Sequence, residues 1–275
     1  MASLLPDQAE GLRRLFAADT RRMVAIVSAG AAANGGVASV GLATTLAQMN
    51  DSVLLLDEPL AAGDACTAYA CAYKQDLNAV LSARCDIEAA IIRGIGGPDL
   101  LAGGGGQARS LPRPRIEARI GLVNAFYRLA GRYDVVLVHA GAELLGRHPS
   151  FAWACQDVIV LCSGQPDAVT AAYGHIKALH QSGGRRFHLL FEGVEQARAQ
   201  ALFKNVAAVS RRHLQLMPDF LGVLPQAPAA GYYIQLAEAL RSWPLPEHKA
   251  GHFPALMRRL LQGVNPQVLQ TMALK

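Results

Sequence analysis

The most informative residues for chemistry lie between an apolar run and a helical pattern, at Ala29-Gly30-Ala31-Ala32-Ala33-Asn34-Gly35-Gly36-Val37-Ala38-Ser39-Val40. A glycine-bearing turn between a buried strand and a helix is where backbone N–H groups and the helix N-terminus cradle phosphate, with a lysine and a Ser/Thr completing the contact to phosphate and magnesium. The turn here carries no lysine. Not one charged residue occurs from Met23 to Asn50. A span rule would flag that stretch as a membrane helix. However, it is mostly Ala, Gly, Ser and Thr, and it breaks at Asn34-Gly35-Gly36, so strand, turn and helix is the better reading.

Other reactive residues are poorly placed. His139 ends an apolar run, but it has no evident serine or cysteine nucleophile to serve. Ser163-Gly164 lacks the G-x-S-x-G frame of a nucleophile elbow. Cys66, Cys71, Cys85, Cys155 and Cys162 include no CxxC pair, and His175 and His180 have no cysteine nearby. No metal site is expected, and the cysteines read as small apolar residues in a reducing cytosol. Arg109, Arg113, Arg115 and Arg119 are interrupted by prolines and a glutamate and have no interleaved aromatics, which argues against nucleic acid.

The elements that hold these residues follow from patterning. Hydrophobic residues make up 52% of the 275 and charged residues 17%, which excludes a disordered chain and is ample for a core. Met23–Ser28, Ser52–Asp57, Asp134–His139, Asp157–Cys162, Phe187–Phe191 and Phe220–Leu224 are short, β-rich and apolar on both faces, as strands of a helix-covered parallel sheet are. Helical patterns fall near 37–49, 76–92, 116–131, 166–182, 195–213 and 231–241. The alternation predicts an α/β fold, a doubly wound, mostly parallel sheet flanked by helices, with ligands at the carboxyl ends of the strands. Leu101–Pro114, rich in Gly and Pro, reads as an irregular surface loop. The expected organisation is an N-terminal segment over 1–22, the α/β domain over 23–245, and a C-terminal amphipathic helix and tail over 246–275. No basic n-region or apolar h-region opens the sequence, so a cytoplasmic location is expected.

At the glycine turn the chain resembles the MinD/ParA-type ATPases, whose deviant Walker A motif is KGGxGKT. Counting back from Leu46-Ala47, the motif falls on Asn34-Gly35-Gly36-Val37-Ala38-Ser39-Val40. That alignment makes Asn34 the replacement for the lysine that reaches across the family's dimer. Ser39 then replaces the phosphate lysine, and Val40 the magnesium-binding hydroxyl residue. The family's DxD appears as Asp57-Glu58-Pro59, its Walker B aspartate as His139, its base-recognising Asn as Glu192, and its P-x-D as Pro225-Gln226-Ala227. The resemblance therefore implies a P-loop fold of the MinD type with a degenerate nucleotide site: a pseudo-ATPase with no cofactor and no catalytic residues.

Three segments are similar to the flagellar-number branch (FlhG, also called FleN). They are the DQAxxLR-like run from Asp7 to Arg13, the run from Gly94 to Gly104, and the run from Gln165 to Lys177. In that branch the first segment binds and stimulates an SRP-type flagellar GTPase (FlhF). The resemblance passes this role to Asp7, Gln8, Ala9, Leu12 and Arg13, with Gln8 acting at the GTPase site. Asp7 and Glu10 suit a capping box, and Leu12, Leu15 and Phe16 form an apolar stripe. Near the other end Phe253, Leu256, Met257, Leu260 and Leu261 recur at helical spacing, with Arg258 and Arg259 on the opposite face. Residues 241–275 hold five basic residues against Glu247 alone. Anionic membrane is one expected partner of that stripe, and packing on the domain is the other. The expected function is regulation of flagellar assembly, number or placement. Two alternatives stand beside it. One is an active ATPase in which Ser39 and backbone amides hold ATP and magnesium. The other is an adaptor in another polar-positioning or secretion system.

Overall fold

The structure, a computed structural model, describes residues 22–30, 32–58, 65–82, 84–103, 132–142, 145, 150–181 and 185–245. The segment Asp7–Arg13, the stripe Phe253–Leu261 and the helix expected over 116–131 lie outside the described residues.

The first strand, β1 (Arg22–Ala29), leads through the glycine turn into α1 (Gly35–Gln48) and then β2 (Val53–Asp57). Three short helices follow: α2 (Ala65–Ala68), α3 (Leu77–Leu81) and α4 (Ile87–Ala90). After them come β3 (Ile91–Ile92), β4 (Asp99–Ala102), β5 (Val135–Ala140), a 3-10 turn at Phe151–Ala154 and β6 (Asp157–Ser163). The last elements are α5 (Pro166–His180), β7 (Arg186–Glu192), α6 (Gln196–Leu214), β8 (Asp219–Leu224) and α7 (Ala230–Ser242). The strands form one sheet in the order β3-β4-β2-β5-β1-β6-β7-β8, and every pairing except β3 with β4 is parallel.

Side chains alternate across each strand, and both faces are buried. Val24 and Ile26 of β1 join Leu42 and Leu46 of α1 and Tyr233 and Leu240 of α7 on one face. Ala25 and Val27 join Ile176 and Leu179 of α5 and Ala199 and Val206 of α6 on the other. This double cover explains why the strands read as continuous apolar runs. The doubly wound sheet is as the sequence predicts.

The edge beyond β2 differs from expectation. The single helix expected over 76–92 is two short helices and a strand. Asp76 caps α3 through the Ala79 amide at 2.8 Å, Ser82 ends it, and Ile91-Ile92 turn extended against Leu100 and Leu101. Asp99–Ala102 pairs in parallel with Leu54–Asp57, so Leu101 and Ala102 belong to a strand and not to a loop. A four-residue run between glycine-rich turns carries too little periodicity to announce itself. Arg22, assigned from sequence to the N-terminal segment, opens β1.

Candidate functional site

The carboxyl ends of β1, β2, β5, β6 and β7 meet around the turn between β1 and α1. Gly30 starts the turn at φ 90°, and a Cβ there would lie 2.8 Å from the Ser163 hydroxyl and 3.1 Å from Ala168 Cβ, so the position demands glycine. Asn34 is the N-cap of α1, and its Oδ1 accepts from the Val37 amide at 3.3 Å.

The first helical turn is Gly35, Gly36 and Val37. In the strand–glycine loop–Lys–Ser/Thr–helix arrangement, this junction is where the cation and hydroxyl stand. It therefore offers two residues without side chains and one exposed valine. This corrects the placement of Ser39 and Val40. Both lie in the second turn. Ser39 is 0% exposed, and its hydroxyl has no hydrogen-bond partner among the described residues. Val40 is half-buried against the core. Ser39 is buried one turn beyond the glycine junction. Asn34 is the helix cap and not a free reaching side chain.

The space at Gly35 is already occupied. A Cβ there would sit 2.4 Å from Ser28 Oγ and 3.0 Å from His139 Nε2. Ser28 Oγ accepts from the Gly35 amide at 3.0 Å. His139, near the end of β5, lies beside Asp57 in register, and its Nδ1–H donates to Asp57 Oδ1 at 2.7 Å. The pair is 5% and 2% exposed. Asp57 Oδ2 accepts from the Cys66 amide at 2.8 Å. Burial pushes the Asp57 carboxyl up, but the His139 hydrogen bond and charge and the Cys66 and Ala65 amides outweigh it, leaving the group below the ordinary carboxylate value. The neighbouring Glu58 is also buried and accepts from the Ser150 hydroxyl at 2.7 Å and from the Phe151 amide.

Glu192, the last residue of β7, reaches across from the opposite side. Its Oε2 accepts from the Asn34 amide at 2.7 Å. Beyond it opens a cavity of about 470 Å³, lined by Ala32, Ser163, Gln165, Glu192, Val194 and Arg198 among others. The Arg198 guanidinium donates to the Gly164 carbonyl at 2.8 Å. Tyr233 packs where a side chain at Gly41 would be, with its hydroxyl buried and its pKa pushed up to about 12 by burial and by the Glu192 charge.

The structure thus brings Asn34, Gly35, Gly36, Asp57 and His139 to one place and leaves Ser39 and Val40 out of it. Ser28 escaped sequence reading, because a serine near a strand end carries no signal without its neighbours. Among the described residues no three His, Cys, Asp or Glu side chains gather as a metal site, and no helix is long and apolar enough to cross a membrane.

This geometry can be set against known proteins. The antiactivator FleN of Pseudomonas aeruginosa strain PAO1 is 27% identical over 246 residues, covering 82% of this chain and 88% of FleN. The MinD cell division protein of Aquifex aeolicus superposes with a TM-score of 0.56 at 17% identity, covering 89% of this chain and 98% of that one. The chain has the MinD/ParA fold and is similar to FleN over most of its length. A plasmid partition protein from Borrelia burgdorferi gives a TM-score of 0.60 at 16% identity over 81% of this chain and 98% of its own. The septum site-determining protein MinD of Pyrococcus horikoshii, solved with Mg-ADP, gives 0.57 at 18% identity over 88% and 96%. No protein-family model matches. Within this MinD/ParA fold, the β1–α1 turn sits where the strand order reverses about β1, the position at which doubly wound sheets bind ligands.

Proposed function

We propose that the chain is a regulator of flagellar assembly, number or placement that works as a pseudo-ATPase, without nucleotide. The observation that carries this reading is the occupied first turn of α1. A triphosphate with magnesium needs cationic and metal-ligating groups there. At that point Gly35 and Gly36 have no side chains, the space at Gly35 holds Ser28 and His139, and the Asn34 amide holds a carboxylate. These residues do not fit magnesium triphosphate. A phosphate group entering beside Glu192 would meet like charge.

A scaffold of this kind acts by binding. Its relationship to FleN supports a flagellar role. Resemblance of the Asp7–Arg13 segment to the DQAxxLR motif supports an SRP-type flagellar GTPase as partner, with Gln8 stimulating hydrolysis. The stripe Phe253–Leu261, with Arg258 and Arg259, supports contact with an anionic membrane surface from the cytoplasm.

Two measurements test the reading. Titration of the full chain with a fluorescent ATP analogue plus magnesium is expected to show no saturable micromolar binding, and micromolar binding with turnover overturns it. Added to the flagellar GTPase, the wild-type chain is expected to raise GTP hydrolysis and Gln8→Ala to abolish the increase with the fold unchanged. Equal stimulation by both proteins overturns the role of Gln8.

A further inference from the structure

We infer that Glu192 is a built-in anionic ligand of α1, a carboxylate that the chain supplies to its own β1–α1 turn in the place a bound anion would take. The inference deepens the proposed function and rests on the reading that the turn takes no nucleotide.

A helix of 14 residues carries partial positive charge at its N-terminus, and its first amides need acceptors. In this chain three of these amides find internal acceptors. Val37 N–H goes to Asn34 Oδ1, Gly35 N–H to Ser28 Oγ and Asn34 N–H to Glu192 Oε2. Only the last acceptor is charged, and it comes from a strand 158 residues away in sequence. Among the described residues the hydrogen-bond donor to Glu192 is this amide, and no Lys or Arg pairs with it. Arg198 lines the same cavity but spends its guanidinium on the Gly164 carbonyl. Burial raises the Glu192 carboxyl and the Asn34 amide lowers it, with burial prevailing. A half-buried carboxylate on a cavity wall, facing an amide and a helix N-terminus, stands as a fixed anion does in an oxyanion site. The consequence is a turn held in one arrangement by the chain's own groups.

The test uses the full chain with Glu192→Ala, Glu192→Gln and inorganic phosphate as the probe. Thermal unfolding is followed against phosphate concentration, with chloride at matched ionic strength as control. A saturable rise in melting temperature is expected for Glu192→Ala, with apparent phosphate affinity at least about tenfold above wild type. Glu192→Gln keeps the acceptor and shape without the charge, and is expected to fall between them. Amide exchange at Asn34 is expected to speed up in Glu192→Ala and slow again with phosphate. Equal phosphate responses in wild type and both variants, or an Asn34 amide unmoved by any substitution, overturn the inference. A separate titration of wild type with Mg-ATP reports on the pseudo-ATPase reading. Binding there removes that reading, whatever phosphate does to the variants.

Discussion

The two edges of the sheet use charge in opposite ways. At the carboxyl edge, where ligands bind in this fold, the β1–α1 turn is closed by short neutral groups, and its charged contributors are Asp57, paired with His139, and Glu192, set on an amide. At the amino edge charge is dense. Arg186 grips Asp157 with two bonds of 2.7 Å and donates to the Pro244 carbonyl at 2.8 Å. His188 meets Asp157 at 2.9 Å and stacks on Trp243 with ring centres 3.8 Å apart. Arg22 donates to the carbonyls of Trp243 and Arg241 at 2.8 and 2.9 Å. Arg22 covers carbonyls at the end of α7, as Glu192 covers the amide of Asn34, the N-cap of α1. Each helix end is complemented with the sign its dipole asks for. Among the described residues these charges serve structural contacts at both edges.

The largest loss is expected from Asp157→Ala. It strands Arg186 and His188 at the amino edge and should cost about 3–5 kcal/mol in urea unfolding, the scale for breaking a buried pair. A loss below about 1 kcal/mol would mean that the clamp is ornamental. Next comes His139→Ala, which leaves the Asp57 carboxylate buried with backbone amides alone and should cost up to about 3 kcal/mol at neutral pH. Its pH dependence has a definite sign. The folded Asp57 value lies below its ordinary 3.8, so the stabilisation is complete above that value and drains as pH falls through the lower folded one. The gap between wild type and His139→Ala should therefore narrow in acid. A gap that widens below pH about 4 contradicts the pairing.

Gly35→Ala places a methyl group against Ser28 and His139 and should destabilise by about 2 kcal/mol through overpacking. Gly174→Ala gives the smallest effect and the opposite sign. The space around Gly174 is open and the residue is exposed in α5, so helix propensity alone should add about 0.5–1 kcal/mol. Thermal melts of the two variants side by side check whether the turn is filled. Equal stabilisation by both would show that it is not.

Much of the fold was legible because burial on both faces leaves a strong mark. Each of the six expected strands falls within about a residue of its place, and α5, α6 and α7 follow their apolar spacing. The edge hairpin was missed, since β3 and β4 are held by pairing with β2 and each other and not by any pattern of their own. The site was legible in part. Asp57 and His139 were visible at strand ends, and the absence of lysine from the turn was visible in composition.

The residues by themselves determined which strands and helices form, and that the turn from Gly30 to Val37 holds no cation. Those are local matters of side-chain type and spacing. The start of α1 became visible in three dimensions, where Asn34 caps the helix and Ser39 is buried. The tertiary structure alone set Asp57 against His139, because β2 and β5 are neighbours across 82 residues. It also carried Glu192 to the Asn34 amide. Contacts between strand ends depend on strand order, and no stretch of sequence records strand order locally.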